Sequence, residues 1–251
     1  MRIHEFGTEH EKTVLLLHSA CLSWRMFRPA VERLQTQYHL IIPALPAHDP
    51  DEKTPYTSVG AIAAELGGWL TQRGIGALWG LYGVPWAARS RCGLLADGKI
   101  PVRTCVLDAA ITPYRAPRWL TRGFSLRNYL VIRFAQRHLA LIRRAFPSQR
   151  FGQAAVEDVC MILGRMDRCD VWRVFDSCFH YPLPKQLCTA ARVSYWYGEK
   201  EYSQRALDIR HVRRLLLEAV FVPFPDCAHA EFVSGQPEAF AARLAETLER
   251  D

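Results

Sequence analysis

Apolar residues recur along the chain in two rhythms that alternate with each other. Residues 13–18 (Thr-Val-Leu-Leu-Leu-His) are a continuous apolar run ending in a polar loop. That is the pattern of a strand buried on both faces of a parallel sheet. Over 24–37, Trp24, Phe27, Val31 and Leu34 fall at helical spacing and predict an amphipathic helix. Residues 38–43 predict the next strand, stopped by Pro43, and the proline-rich stretch 43–56 predicts a loop. Ser58 caps a predicted helix whose apolar face is Val59, Ile62, Leu66, Trp69 and Leu70, ended by Gly74 and Gly76. A third strand at 77–82, a helix at 86–96 and a fourth strand at 102–107 complete a strand–helix alternation. Such alternation implies a parallel sheet with helices on both faces.

The alternation stops at 112 and resumes after 188. Between these positions no strand is predicted. Pro113, Pro117 and Pro147 separate helical stretches at 118–122, 126–146 and 154–178, and Leu130, Phe134, Leu141 and Ala145 are expected to face inward. This divides the chain into a core (1–111 and 189–251) and a helical cap (112–188). In the last part, 193–197 and 219–222 predict strands and 204–217 a helix. A final helix runs from Pro237, at a helix start where its missing N–H costs nothing, to 250.

Composition narrows the classes. With 251 residues, 49% of them hydrophobic, the chain can bury a large core. The N-terminus lacks the apolar centre of a signal peptide and no run of about 18 apolar residues occurs, so the expected setting is cytoplasmic, with no membrane span. Cys21, Cys92, Cys105, Cys160, Cys169, Cys178, Cys188 and Cys227 include no Cys-x-x-Cys pair, which predicts reduced packing thiols and no zinc site. The formal charge of +7 is concentrated in the cap, where Arg115, Arg118, Arg122, Arg127, Arg133, Arg137, Arg143, Arg144 and Arg150 crowd together. A solvated basic face is the simplest account of them, and a rim that draws in an anionic ligand is the sharper one. No nucleic-acid motif accompanies these charges, and a basic helix resting on a membrane has little support in the sequence. His48, Asp49, Asp51 and Glu52 share a loop without a clear ligand period, so no metal is expected.

Three stretches carry a resemblance that covers essentially all of the chain. Leu15-Leu16-Leu17-His18-Ser19-Ala20-Cys21 resembles the strand and oxyanion loop of the α/β-hydrolase family. Gly83-Val84-Pro85-Trp86-Ala87 resembles its nucleophile elbow, Gly-x-Ser-x-Gly. Tyr197-Gly198-Glu199-Lys200-Glu201 and Cys227-Ala228-His229-Ala230-Glu231-Phe232 resemble the loops carrying its acid and histidine, in the family's chain order. Ile111-Thr112-Pro113-Tyr114, at the cap's start, is similar to the small esterase or lipase-like branch.

The resemblance implies an α/β-hydrolase fold, a catalytic pair His229 and Glu201, and oxyanion donors at the backbone of Ala20 and Trp86. Glu199 and Glu231 are the alternative acids, and Glu201 best matches the family spacing. Cys21 and Trp24 are expected at the pocket, and Trp86, Trp119, Trp172 and Phe124 would suit an apolar space between cap and core. Ser19, Ala47, Asp49 and Ala87 stand where the family has glycine, which permits positive φ or close backbone approach. Pro85 stands at the serine. Proline has no hydroxyl, and its ring fixes φ near −65°, so it neither attacks a carbonyl nor holds the family's elbow. Cys21 is a weaker candidate for a substitute nucleophile, and Ser19 and Ser23 lack an evident base.

Three readings follow. In the first, a relative of small-ester or lactone hydrolases has lost serine-dependent turnover, and any activity is cofactor-free acid–base chemistry by His229 and Glu201 on a small carbonyl compound. In the second, the scaffold is a non-catalytic binding or interaction protein for a carbonyl or anionic ligand. In the third, Pro85 is a recent or engineered change and the parent's function applies.

Overall fold

A computed structural model describes residues 1–83, 100–111, 117–180 and 190–250. Seven strands form one sheet: β1 (Arg2–Phe6), β2 (Thr13–Leu17), β3 (His39–Ala44), β4 (Leu78–Gly83), β5 (Val102–Asp108), β6 (Arg192–Gly198) and β7 (Val220–Phe224), in the order β1-β3-β2-β4-β5-β6-β7. All pairings are parallel except β1 with β3, which is antiparallel. Outside the cap, the described helices are α1 (Arg28–Leu34), α2 (Val59–Gln72), α8 (Tyr202–Leu215), α9 (Glu231–Gly235) and α10 (Pro237–Glu249).

The continuous apolar strands are explained by a core on each side of the sheet. Successive side chains of a strand point to opposite faces. Val14, Leu16, Leu40, Ile42, Tyr82, Val106 and Trp196 therefore meet Phe27, Leu34, Phe240 and Leu244 of one layer. Their chain neighbours Leu15, Leu17, Ile41, Leu81, Cys105, Leu107 and Tyr195 meet Leu66, Leu70 and Ile209 of the other.

From 117 to 180 the chain is helical, as α3 (Arg118–Arg137), α4 (Leu139–Ala145), α5 (Ser148–Phe151), α6 (Gln153–Arg165) and α7 (Arg168–His180). The ends of the cap expected from the sequence, at 112 and 188, lie outside the described residues. These helices share a third apolar cluster with the core, in which Ile162, Met166, Val171 and Val174 pack on Leu45, Tyr56, Val59 and Ile62. Polar pins add to it. Asp158 accepts from the Ser23 N–H at 2.7 Å and from the Ser23 hydroxyl at 2.6 Å. The Asp170 carboxylate accepts from the Tyr56 N–H at 2.8 Å, and the Ser177 hydroxyl from the Val59 N–H at 2.8 Å.

Several expected elements differ. Strand β1 was not anticipated; it is a half-buried edge strand whose alternating charges hide it. The helix expected over 24–37 is a 3-10 turn, Trp24–Phe27, capped by the Ser23 hydroxyl, followed by α1. In the cap, α3 runs unbroken through 123–125 and stops at His138 (φ −131°, ψ 52°), so the helix expected over 126–146 is two pieces. The face expected to point inward along α3 and α4 is also reversed. Leu130, Phe134 and Leu141 point to solvent, as does Ala145, and the buried positions are Ser125 and Ala135. The helix expected at 86–96 lies outside the described residues, as do Pro85, Trp86, Ala87, Cys92 and Cys188.

Candidate active site

The loops that follow β2, β5, β6 and β7 open at one edge of the sheet, the carboxyl ends of the strands, where ligands bind in open α/β sheets. Glu201 closes a 3-10 turn, Glu199–Glu201, directly after β6. It is buried, and its Oε1 accepts from the Gly198 N–H at 3.1 Å. His229 sits between β7 and α9, with Nδ1 2.8 Å from Glu201 Oε2. A carboxylate there accepts a proton-bearing Nδ1, which leaves Nε2 as the basic nitrogen. Burial alone would raise the Glu201 carboxyl. The hydrogen bond and charge of His229, the Gly198 N–H and the nearby Arg205 outweigh burial and hold it below the usual carboxylate range. Of the alternative acids, Glu199 is exposed, and Glu231 is taken by Arg150.

Backbone contacts hold the two loops in register. The Lys200 N–H donates to the Cys227 carbonyl at 3.1 Å, and Gly198 approaches that same carbonyl so closely that a Cβ would overlap it. Ala230, next to the histidine, takes the left-handed conformation (φ 58°). Behind it, Glu231 accepts from the Ala228 N–H at 2.7 Å and receives both arms of the Arg150 guanidinium, at 2.6 and 2.7 Å. Arg150 also donates to the Asp226 carbonyl at 2.9 Å, so a cap residue clamps the histidine loop.

His229 lines a cavity of about 290 Å³ between the cap and this edge of the sheet. Ser19, Ala20, Cys21 and Leu22 form its floor, and the cap supplies apolar walls that include Ile132, Phe146, Val159 and Phe179. Arg205 also reaches it, with Nε 3.4 Å from Glu201 Oε2. No motif in the sequence marks Arg205 or Arg150 as a site residue. The first was findable, because it stands one helical turn after Glu201; the second was not, because its partner is 81 residues away.

The other expected site residues separate. Ala20 and Cys21 are at the cavity, whereas Trp86 and the nucleophile position Pro85 lie outside the described residues. Trp24 is not at the cavity. It is buried in the sheet's packing, with its ring stacked on His4 at 3.8 Å. Trp119 is 75% exposed, Trp172 packs against Tyr129, and Phe124 packs against Phe179. None of these three lines the cavity, because α3 turns Trp119 outward and buries small residues instead.

Burial in apolar surroundings pushes the Cys21 thiol up to about 12, which keeps it protonated and poorly nucleophilic. Of the described positions where the family's glycines are replaced, Ser19, Ala47 and Asp49, only Ala47 has positive φ (63°). His48 donates from Nδ1 to the Pro46 carbonyl, and Asp49 and Asp51 pair with Arg2. Among the described residues no group of three His, Cys, Asp or Glu side chains is placed to hold a metal ion, and no helix is long and apolar enough to cross a membrane.

No family model matches the chain, and no curated protein matches its sequence. Solved structures do match its backbone. A Desulfitobacterium hafniense protein assigned to the α/β hydrolase family aligns with a TM-score of 0.76 at 22% identity, over 99% of this chain and 100% of that one. A thermophilic esterase from Thermogutta terrifontis gives 0.78 at 18% identity, over 98% and 91%. The epoxide hydrolase VrEH1 from Vigna radiata gives 0.72 at 14% identity, over 97% and 92%. At these identities the likeness establishes the fold: a mostly parallel seven-stranded α/β-hydrolase sheet.

Proposed function

We propose that the cavity binds a small, largely apolar carbonyl compound and that His229, oriented by Glu201, removes a proton there. The observation that carries this reading is the 2.8 Å contact between His229 Nδ1 and Glu201 Oε2 at the wall of an apolar cavity. In that arrangement Nε2 accepts a proton from a water attacking the carbonyl carbon, or from a carbon next to the carbonyl, and Glu201 stabilises the imidazolium that results. The negative charge that develops on the carbonyl oxygen is to be met by backbone N–H groups, for which Ala20 at the cavity floor and Trp86 are the candidates. Serine-dependent ester hydrolysis is lost in this reading, because position 85 is proline and carries no hydroxyl. The reading needs no cofactor. Its relation to small-ester or lactone hydrolases rests on the family resemblance and on the esterase among the structural neighbours.

A second reading, binding without turnover, is favoured by the thiol that lines the cavity. Cys21 stays protonated and offers no substitute for the missing hydroxyl.

Short-chain activated esters test both readings, with the chain as given and with His229→Ala, Cys21→Ala and Pro85→Ser. The expected result is slow turnover that falls about 100-fold or more in His229→Ala, the ordinary scale of general-base catalysis. Turnover that survives His229→Ala and dies with Cys21→Ala overturns the proposal in favour of a thiol nucleophile. Absent turnover with a raised melting temperature in the ester's presence selects the second reading. A large gain in Pro85→Ser would show a serine site otherwise intact.

A further inference from the structure

Helix α3 shows two opposite faces. Toward the protein it buries Ser125 and Ala135, and its Asn128 and Ile132 line the cavity. The Gln136 amide on that side ties it to the carbonyls of Leu163 and Met166 at 2.7 and 2.8 Å. Toward solvent it presents Trp119, Leu126, Leu130 and Phe134, spaced seven, four and four residues apart and so stacked in one stripe. These side chains are 75%, 49%, 56% and 56% exposed, and Leu141 of α4 adds to the exposed apolar surface. Bulky apolar residues at helical spacing on the solvent side are not explained by folding, since they leave water only if something else covers them.

The charges around the stripe say what covers it. At about 100° per residue, Arg122 and Arg133 flank the stripe on one side and Arg127 on the other, with Arg137 at its C-terminal end. Arg143 and Arg144 follow in α4. Residues 118–151 contain eight arginines and no aspartate or glutamate. Among the described residues only one of the eight, Arg150, forms an ion pair. Apposing this face on a second copy would set unneutralised arginines against arginines. A nucleic acid would satisfy the arginines but not the Trp, Leu and Phe side chains between them.

We propose that the outer face of α3 docks on the surface of an anionic lipid bilayer, lying in its plane. The stripe enters the acyl boundary, and the flanking guanidinium groups, set back toward the protein body, reach the phosphates at headgroup depth. The helix that roofs the cavity would then be the helix that touches the lipid. This inference is independent of any chemistry at His229.

Flotation of the full chain with phosphatidylcholine vesicles, with and without phosphatidylserine, tests it. The expected result is binding to the anionic vesicles only, weakened at least tenfold by high salt and at least tenfold by Leu130→Glu with Phe134→Glu. Both positions face solvent, and an unchanged circular-dichroism melting curve for that variant shows that the fold is retained. No binding to anionic vesicles, equal binding to neutral ones, or full binding by the stripe variant overturns the proposal. Loss of binding in Arg122→Glu with Arg133→Glu is expected as well; that loss together with full binding by the stripe variant would mean adsorption by charge without insertion and overturns the proposal. A dimer in sedimentation without lipid that becomes a monomer in the stripe variant also overturns it, by assigning the face to a second copy.

Discussion

Whether His229 and Glu201 can meet is decided at Gly198. The glycine ends β6, and its missing Cβ is what allows the acid loop to lie against the Cys227 carbonyl. Gly198→Ala puts a methyl group onto backbone, which a rotamer change cannot relieve. The loops must part, and among the described residues one backbone hydrogen bond joins them, from the Lys200 N–H to the Cys227 carbonyl. The expected cost is about 2 kcal/mol or more, in the range for substitutions that strain a packed site. It is read as a lower urea midpoint with an unchanged slope, together with loss of whatever turnover or ligand binding depends on His229. A stability equal to the parent would show that the loops have room the geometry does not indicate. Cys21 and Ala230, both left-handed without being glycine and both lining the cavity, show that its wall carries backbone strain.

At the scale of elements, the cap and the histidine loop form one unit through Arg150. Its guanidinium makes the bidentate contact to Glu231 and a further bond to the Asp226 carbonyl, while Glu231 orders the Ala228 N–H one residue before His229. Arg150→Ala leaves the buried Glu231 carboxylate without its cation, a loss on the order of 3 kcal/mol for a buried pair but less here, because Arg150 is partly exposed. The sharper expectation is kinetic or binding rather than thermodynamic: Arg150→Lys keeps the charge, loses the two-armed grip, and should recover stability while recovering little of the His229-dependent signal. Equal recovery of both would make Arg150 a structural strut only. This coupling was not legible in the sequence, since nothing in a chain segment announces a partner 81 residues away. The strands β2 to β6 were legible, because burial on both faces forces unbroken apolar runs such as Val14 to Leu17. The edge strand β1 was hidden by its half-buried Arg2, His4 and Glu5. In α3, periodicity places Leu130 and Phe134 on one face, but that face is the solvent side and not the inward one expected from the sequence. Small residues, Ser125 and Ala135, let the helix sit close to the protein while its large apolar side chains look out. Only the family resemblance favours Glu201 over Glu199 and Glu231 in the sequence, whereas Trp24 packs on His4, because an aromatic near a loop packs there as readily as it lines a pocket.

The whole molecule is poised against acid by histidines buried in the neutral form. His18 accepts the Leu45 N–H at Nε2 (3.2 Å) and therefore donates from Nδ1 to the Ser19 carbonyl (3.0 Å), joining the loops after β2 and β3. His48 lies with its ring centre 5.7 Å from that of His18, and its Nδ1 is 2.8 Å from the Pro46 carbonyl. Both are fully buried. Desolvation, with the neighbouring His48 adding to it, lowers His18 to about 3, and desolvation lowers His48 to about 4. In the unfolded chain each titrates near 6.5. Between that pH and the folded values the unfolded chain binds protons that the native chain does not, so stability rises with pH and falls on acidification. The loss is about 2 kcal/mol per histidine between pH 6.5 and 5, and half-buried His4, also lowered by desolvation, acts in the same direction. Glu201 stays out of this window. Its depressed carboxyl contributes stability above its ordinary pKa that is lost only as the pH falls through the lower folded value. Buried Asp158 has the opposite sign, because desolvation raises it and the folded chain then takes up its proton first as the pH falls toward the usual carboxylate range. Urea midpoints measured between pH 7 and 5 should therefore fall steeply for the parent chain. In His18→Gln, whose amide can accept from Leu45 and donate to Ser19 without titrating, the fall should be shallower by about one histidine's share. A variant with the parent's full pH slope would show that His18 is not held neutral. Because Ser19, Ala20 and Cys21 form the cavity floor directly after His18, the same acidification should weaken ligand binding before the sheet itself unfolds, so that binding is lost at a higher pH than the far-ultraviolet dichroism.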